Sequence, residues 1–312
     1  MSDKTAKIFL SYAHIDLGYA KKIYDDLTRY GLEIWFDKES LLPGQDWEKE
    51  IRKAIRESDF FIALLSDKCL SKRGFVHLEL KFSFEIVAKY FPEDTGIFVI
   101  PVRLDDCKPS DAYERLGKLH WIDVFNEYQT GLKKILQVVS PGTFIIRNKS
   151  KQLSSSDVNE MLKTHGYYDR DRNPDAKGIE HDYQLKEIKG DKVVIDKTTK
   201  LMWQQSGSQK DMPFEATKEY ITELNRNGFA GFTDWRLPTL EEAMSLMELE
   251  EKNDRYIDPM FNSVQRWIWT ADQVKGESRA WVVSFYVGGC RYYRFYDYHY
   301  VRAVRFGQSS QE

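Results

Sequence analysis

Lys7-Ile-Phe-Leu-Ser-Tyr-Ala13 opens the chain, and Gly31-Leu-Glu-Ile-Trp-Phe-Asp37, Leu42-Pro-Gly-Gln-Asp-Trp47 and Ser58-Asp-Phe-Phe-Ile-Ala-Leu-Leu-Ser66 follow it. Ile8-Phe-Leu10 is a short apolar run suited to a buried parallel strand. Ala20, Ile23, Tyr24 and Leu27 then recur at helical spacing. Leu32–Phe36 reads as a second strand, introduced by Gly31 as a helix stop. Asp46 is placed to cap a helix whose inward face is Trp47, Ile51, Ala54 and Ile55. Phe60–Leu65 gives a third strand, and a helix is expected from Phe75 to Lys89. Ile97–Val102 and Leu119–Val124 supply strands four and five, and Leu132, Ile135, Leu136 and Val139 mark a closing helix. Strands alternating with helices imply a parallel sheet covered on both faces. Such sheets bind ligands at the carboxyl ends of their strands, which here carry Ser11, Tyr12, Asp37 and Ser66.

In order and spacing these segments resemble a bacterial TIR domain over nearly all of residues 6–140. Phe9-Leu-Ser-Tyr12 looks like the first box of that family, Leu41-Leu-Pro-Gly-Gln45 like its BB loop, and Leu119-His-Trp-Ile-Asp-Val124 like its last-strand motif. NAD-cleaving members carry a Ser, then an aromatic residue, then a Glu four positions later. Ser71, Phe75 and Glu79 match, with Phe in place of the usual Trp. The i, i+4 spacing puts Phe75 and Glu79 on one helix face. The resemblance implies a flavodoxin-like α/β fold with a five-stranded parallel sheet. It also implies Glu79 as the catalytic residue, with Ser11, Tyr12, Asp37, Trp47, Ser71 and Phe75 around the substrate. Leu42, Pro43 and Gly44 would form an assembly loop for TIR–TIR self-association.

One carboxylate suffices for that chemistry. Nicotinamide leaves NAD from a cationic state, so no general acid is needed. A Glu at the ribose hydroxyls stabilises the oxocarbenium-like transition state, and paired glycosidase carboxylates are not required. NAD is then a substrate, and no cofactor or metal is expected. Trp47 can stack on a flat ring of the ligand or pack in the core. Ser11 and Asp37 can equally cap the turns behind their strands. A net charge of −3 gives no general case for nucleic acid or a membrane surface. No apolar run approaches the roughly 20 residues of a membrane span. The polar start and the three scattered cysteines, Cys69, Cys107 and Cys290, fit a reducing cytoplasm better than a secreted disulfide framework.

After Ser140-Pro-Gly-Thr143 the pattern changes. The expected division is 1–140, a linker at 141–156, and a second domain at 157–312. Ser154 to Leu162 offers a short capped helix, and Tyr167 to Gly178 reads as a plain loop without calcium-loop spacing. Val193–Asp196 and Leu201–Trp203 flank a Thr-Thr-Lys turn. Pro213 suits the first residue of a helix, and Thr239-Leu-Glu-Glu242 is a capping box. Strands are expected at Trp267–Thr270, Ala280–Val287, Cys290–Tyr296 and Tyr300–Arg305, giving an α+β domain. Asp196–Trp203, Asp234-Trp-Arg-Leu-Pro-Thr239, Trp267-Ile-Trp-Thr270 and Val301-Arg-Ala-Val-Arg305 resemble the DUF1566 family. That resemblance implies a C-type-lectin-like fold related to the formylglycine-generating enzyme. Formylglycine generation needs a cysteine pair, and only Cys290 lies here, so that activity does not carry over.

The segment from Phe285 to Tyr300 holds six tyrosines. Tyr286, Arg291, Tyr292, Tyr293, Arg294, Tyr296, Asp297, Tyr298 and His299 have paratope-like composition: rigid amphipathic rings with charged edges. The placement resembles the variable region of proteins diversified by retroelements. Aromatic cross-strand pairs within a β-rich core are the alternative. Together the two halves suggest a sensor-effector. The second would bind a protein ligand, and the first would cleave NAD to nicotinamide and ADP-ribose or its cyclic form, with antiphage defence as the setting. A non-enzymatic TIR scaffold is the rival from another class.

Overall fold

A computed structural model of the chain describes residues 6–36, 40, 42, 44–71, 99–111, 114–141 and 144–307. Two compact units divide at Thr143 and Phe144.

The first unit is built on strands β1 (Lys7–Ser11), β2 (Glu33–Trp35), β3 (Phe60–Leu65), β4 (Val99–Arg103) and β5 (Ile122–Asp123). They form one sheet in the order β2-β1-β3-β4-β5, and each adjacent pair is parallel. This is the flavodoxin-like strand order with its switch point between β1 and β3. Register explains the aromatic core. Phe9 sits opposite both Trp35 and Phe61, and its ring stacks on theirs at 4.6 and 5.2 Å. Helix α1 (Leu17–Arg29) buries Ala20, Ile23 and Leu27. Helix α2 (Trp47–Glu57) starts where the sequence places its cap, with Lys49 N donating to Asp46 Oδ1 at 3.3 Å. It buries Ile51, Ala54 and Ile55 against β1 and β3. A short helix α3 (Asp67–Ser71) leaves β3, and α4 (Tyr128–Val139) closes the unit. Gly131 lets α4 approach β5: a Cβ there would lie 2.5 Å from the Asp123 carbonyl oxygen and 2.6 Å from a Val124 methyl.

The second unit has two four-stranded sheets. One contains β7 (Tyr183–Ile188), β8 (Asp191–Asp196), β9 (Leu201–Gln204) and β13 (Val304–Phe306), antiparallel throughout. The other contains β10 (Trp267–Val274), β11 (Arg279–Ser284) and β12 (Gly289–Arg294), with β6 (Gln152–Leu153) added parallel to β10. Helices α5 (Ser155–His165), α6 (Thr217–Arg226) and α7 (Leu240–Ser245) complete it. The expected capping boxes are present at Ser154/Asp157 and Thr239/Glu242. Trp203, Trp235, Trp269 and Trp281 are fully buried, which accounts for the tryptophan-rich motifs.

Several boundaries differ from the sequence reading. Residues 144–156 are not a free linker. Ile146 is buried, Gln152–Leu153 is a strand, and Arg147 donates to both oxygens of the buried Asp272 at 2.9 and 2.6 Å. A polar composition hid this because the segment is held by hydrogen bonds and ion pairs. Strand β11 ends at Ser284, before the turn through Gly288, and β12 ends at Arg294, whose N–H goes to Asp297 Oδ2. Of Tyr300–Arg305 only the end is ladder. Tyr300 makes an isolated parallel bridge to Ile268. Pro213 is the N-cap of a single 3-10 turn ahead of α6 rather than a helical residue.

Candidate functional site

The carboxyl edge of the parallel sheet is the first candidate. Ser11 ends β1 and is buried, and the Tyr12 ring packs on Phe36 at 5.2 Å. Ser66 follows β3 and donates its hydroxyl to Asp16 Oδ2 at 2.7 Å, while accepting from Cys69 N at 3.1 Å. Arg103 ends β4 and pairs with Asp123 at 2.6 Å. Asp105 accepts from Asp67 N at the start of α3. Burial holds the Asp16 carboxyl above its ordinary range, and the Asp105 charge pushes the same way against the pull of the Ser66 hydroxyl. Sequence reading passed over Asp16. It stands at the helix N-cap, where an Asp normally serves the backbone, yet it makes no cap bond. That freed carboxylate ties the β1–α1 loop to the end of β3.

Of the residues expected around a substrate, Asp37, Phe75 and Glu79 lie outside the described residues, as does the helix expected from Phe75 to Lys89. Trp47 starts α2 and Ser71 ends α3, but their side chains also lie outside. In the expected assembly loop Pro43 is likewise outside. Leu42 is exposed, and a turn is closed by Gln45 N to the Leu42 carbonyl at 3.2 Å and by Leu42 N to Gln45 Oε1 at 2.8 Å. Gly44 sits inside that turn with φ of +90°, a conformation that favours glycine.

The second candidate is the β11–β12 hairpin and the chain beyond it. Alternation along β12 sorts its side chains. Tyr292, Arg294, Tyr296 and Tyr298 are exposed, with Tyr296 and Tyr298 above 60%. Tyr293 and Phe295 turn inward. Tyr293 meets Trp267 edge-on at 5.6 Å, and Phe295 stacks on Phe214 at 4.9 Å. His299 is packed among Trp267, Trp269 and Tyr293. Burial lowers its pKa to about 4, against the opposing pull of Asp297 and Asp211. Arg291 is spent on Asp171 and on its neighbour's carbonyl. Tyr286 is exposed but sits in the turn at the far end of β12, roughly 20 Å from Tyr296 at about 3.3 Å per residue. The structure therefore gathers Tyr292, Arg294 and Tyr296 with Arg279 of β11, leaves Tyr286 apart, and builds Tyr293 and His299 into the core. Arg279, opposite Arg294 in the ladder, was missed because it lies outside the tyrosine-rich run.

The remaining motifs are structural in this unit. Asp234-Trp-Arg-Leu-Pro-Thr239 holds β13 and α7 together. Arg305 pairs with Asp234 at 2.6 Å, Trp235 is buried and donates to the Phe229 carbonyl, and Arg236 bonds both oxygens of Glu242. Cys290 is buried, donates to Asp169, and its thiol is pushed far above the ordinary range by burial. Asp169 also accepts from three backbone N–H groups, those of Asp171, Arg172 and Cys290, so this acid serves the backbone around it. Among the described residues no cluster of three His, Cys, Asp or Glu side chains is placed to hold a metal. None of their helices is long and apolar enough to cross a membrane.

Residues 8–136 match the family model of the TIR domain, and residues 192–305 match that of the Lcl C-terminal domain. No curated protein matches the chain. Among solved structures it is similar to the TIR domains of the activated Roq1 resistosome directly recognizing the pathogen effector XopQ. The identity is 22%, with 43% of this chain and 98% of that one covered at a TM-score of 0.36. It is also similar to the TIR domain of the Toll-related receptor TRR-2 from Hydra magnipapillata, at 16% identity, the same two coverages and a TM-score of 0.35. A metazoan TIR-STING receptor from C. gigas matches at 23% identity over 43% of this chain and 40% of that one, with a TM-score of 0.35. At such scores these likenesses carry no weight beyond the family match. The chain thus joins a TIR domain at residues 8–136 to an Lcl C-terminal domain at residues 192–305.

Proposed function

We propose that the protein is a sensor-effector whose TIR domain cleaves the nicotinamide–ribose bond of NAD once the second unit binds a protein ligand. The observation that carries this is the TIR match over residues 8–136 containing Ser71, Phe75 and Glu79 at the spacing of NAD-cleaving members. The sheet order supports it: a switch point between β1 and β3 gives such a fold its ligand edge, and Ser11, Asp16 and Ser66 line that edge. Glu79 would stabilise positive charge developing on the ribose, and departure of neutral nicotinamide needs no acid. ADP-ribose or its cyclic form is the other product.

Clustering supplies the switch in this reading. Ligand binding at the hairpin gathers chains, and contacts through Leu42–Gly44 complete neighbouring NAD sites. The test is nicotinamide release from NAD by the full chain, free in solution and then clustered on beads through a C-terminal tag. Release that rises on clustering is expected. No release in either state would leave the TIR domain as a scaffold that recruits another effector.

A further inference from the structure

We propose that the exposed edge of the β11–β12 hairpin grips an acidic side chain of the protein ligand between Arg279 and Arg294. This deepens, and rests on, the assignment of that hairpin as the ligand face.

Arg279 and Arg294 are directly opposite in the antiparallel ladder, which brings their Cβ atoms to about 5 Å. Like charges so placed repel, and the protein relieves this only in part. Arg279 pairs with Glu277 at 3.2 Å. Arg294 makes no ion pair among the described residues. Its guanidinium donates to the Tyr296 hydroxyl, while the nearby Asp297 carboxylate is taken up by the Arg294 backbone N–H at 2.9 Å. One exposed guanidinium therefore makes no direct ion pair, with only the diverted Asp297 carboxylate near it, and stands beside a second. Each lies over a tyrosine ring, Arg279 over Tyr292 at 5.4 Å and Arg294 over Tyr296 at 5.7 Å. This orients the planar forks, and the N–H groups not taken by Glu277 or the Tyr296 hydroxyl are left for a ligand. An open recess of roughly 320 Å³ is lined by Arg279, Tyr292, Arg294 and Tyr296, with Tyr293 and Asp297. Two neighbouring forks over a recess suit a carboxylate, which accepts paired N–H bonds. The flanking rings supply the apolar contact area of an interface hot spot.

The charge balance favours a protein over a polyanion. Glu277 and Asp297 flank the two arginines and offset them, so no basic stripe runs outward to follow a phosphate backbone. The contact is short-range and geometric: one acidic side chain, set among the tyrosines.

The experiment selects a random-peptide phage library on the full-length protein and repeats the selection on Arg294→Gln, Arg279→Gln, Arg294→Glu and the double variant Tyr292→Ser/Tyr296→Ser. Arg294 and Tyr296 are exposed, while Arg279 is half-buried and Tyr292 packs on the buried Trp281, so thermal midpoints of every variant confirm folding. Peptides enriched in Asp or Glu are expected from the wild type. Their binding should weaken about tenfold or more in Arg294→Gln, and Arg294→Glu should select basic peptides instead. Peptides that need Tyr292 and Tyr296 but show no acidic enrichment, or bind Arg294→Gln equally, would overturn the proposal and leave the hairpin as the ligand face. Peptides indifferent to every substitution would overturn both. A single-stranded oligonucleotide that displaces the peptides would show a phosphate ligand and overturn the proposal in favour of nucleic acid.

Discussion

At the residue scale, two buried groups show what sequence alone does not reveal. Glu242 is fully buried and accepts from both terminal nitrogens of Arg236 and from Thr239 N. Glu242→Gln removes its charge and leaves the Arg236 cation without its partner. Breaking such a pair costs about 3 kcal/mol, read as a lower urea midpoint; an unchanged midpoint would show that solvent replaces the carboxylate. His299 is the second. Its folded-state pKa of about 4 lies below the ordinary 6.5, so protonation favours the unfolded chain. Its contribution to stability is complete above pH 6.5 and is lost as pH falls from 6.5 towards 4. His181 acts in the opposite sense. Its two ring nitrogens face acceptors, Asp196 Oδ2 at 2.8 Å and the Ser245 carbonyl at 2.7 Å. These bonds outweigh burial and raise its pKa, so its contribution is present below pH 6.5 and lost as pH rises through the raised value. His299→Gln should flatten the acid limb of a midpoint-versus-pH curve; an acid limb identical to wild type would assign it to other groups. The capping boxes at Ser154 and Thr239 were legible because a cap needs only local spacing. The partners of His299 were not, because Trp267, Trp269 and Tyr293 come from other strands.

At the element scale, periodicity located Phe60–Leu65 and the Ala20, Ile23 and Leu27 face of α1, while the strand expected at Leu119–Val124 shortens to Ile122–Asp123. It failed where polar groups carry the structure. Residues 141–156 read as linker because the run from Asn148 to Ser156 is polar, yet the Arg147 side chain and the Lys151 backbone N–H both bond Asp272. It also over-extended the last strands, since alternation of Tyr and Arg continues past Arg294 while the hydrogen-bond ladder does not. Two elements are directly testable. Gly44 at φ +90° tolerates no proline, whose φ is fixed near −65°. Gly44→Pro should reshape the loop and depress oligomer formation and NAD turnover together. Unchanged light scattering and turnover would remove the loop from the mechanism. On the hairpin, replacing the exposed Tyr292, Tyr296 and Tyr298 by Ser should leave the thermal midpoint within a few degrees of wild type. A loss of ten degrees or more would place these rings in the core alongside Tyr293.

At the scale of the whole molecule, each unit buries its own core, a parallel sheet wrapped by helices in one and a tryptophan-rich pair of sheets in the other. The parallel sheet of the first followed from alternation of apolar runs with amphipathic ones, and its five-stranded flavodoxin-like form was implied by the TIR resemblance. The composition of the exposed hairpin face did not, because Arg279 joins it only through register. In the proposed function, one carboxylate of the TIR domain carries the chemistry and clustering switches it on. The most direct measurement is therefore nicotinamide release from NAD by bead-clustered wild-type protein and by clustered Glu79→Gln at matched protein concentration. Glu79→Gln keeps the side-chain shape and removes the charge that the proposed mechanism sets against the developing cation on the ribose. Release by the wild type and a loss of roughly a hundredfold or more in the variant, with an unchanged thermal midpoint, is the predicted result. Equal NAD levels in the two samples over hours would contradict the account.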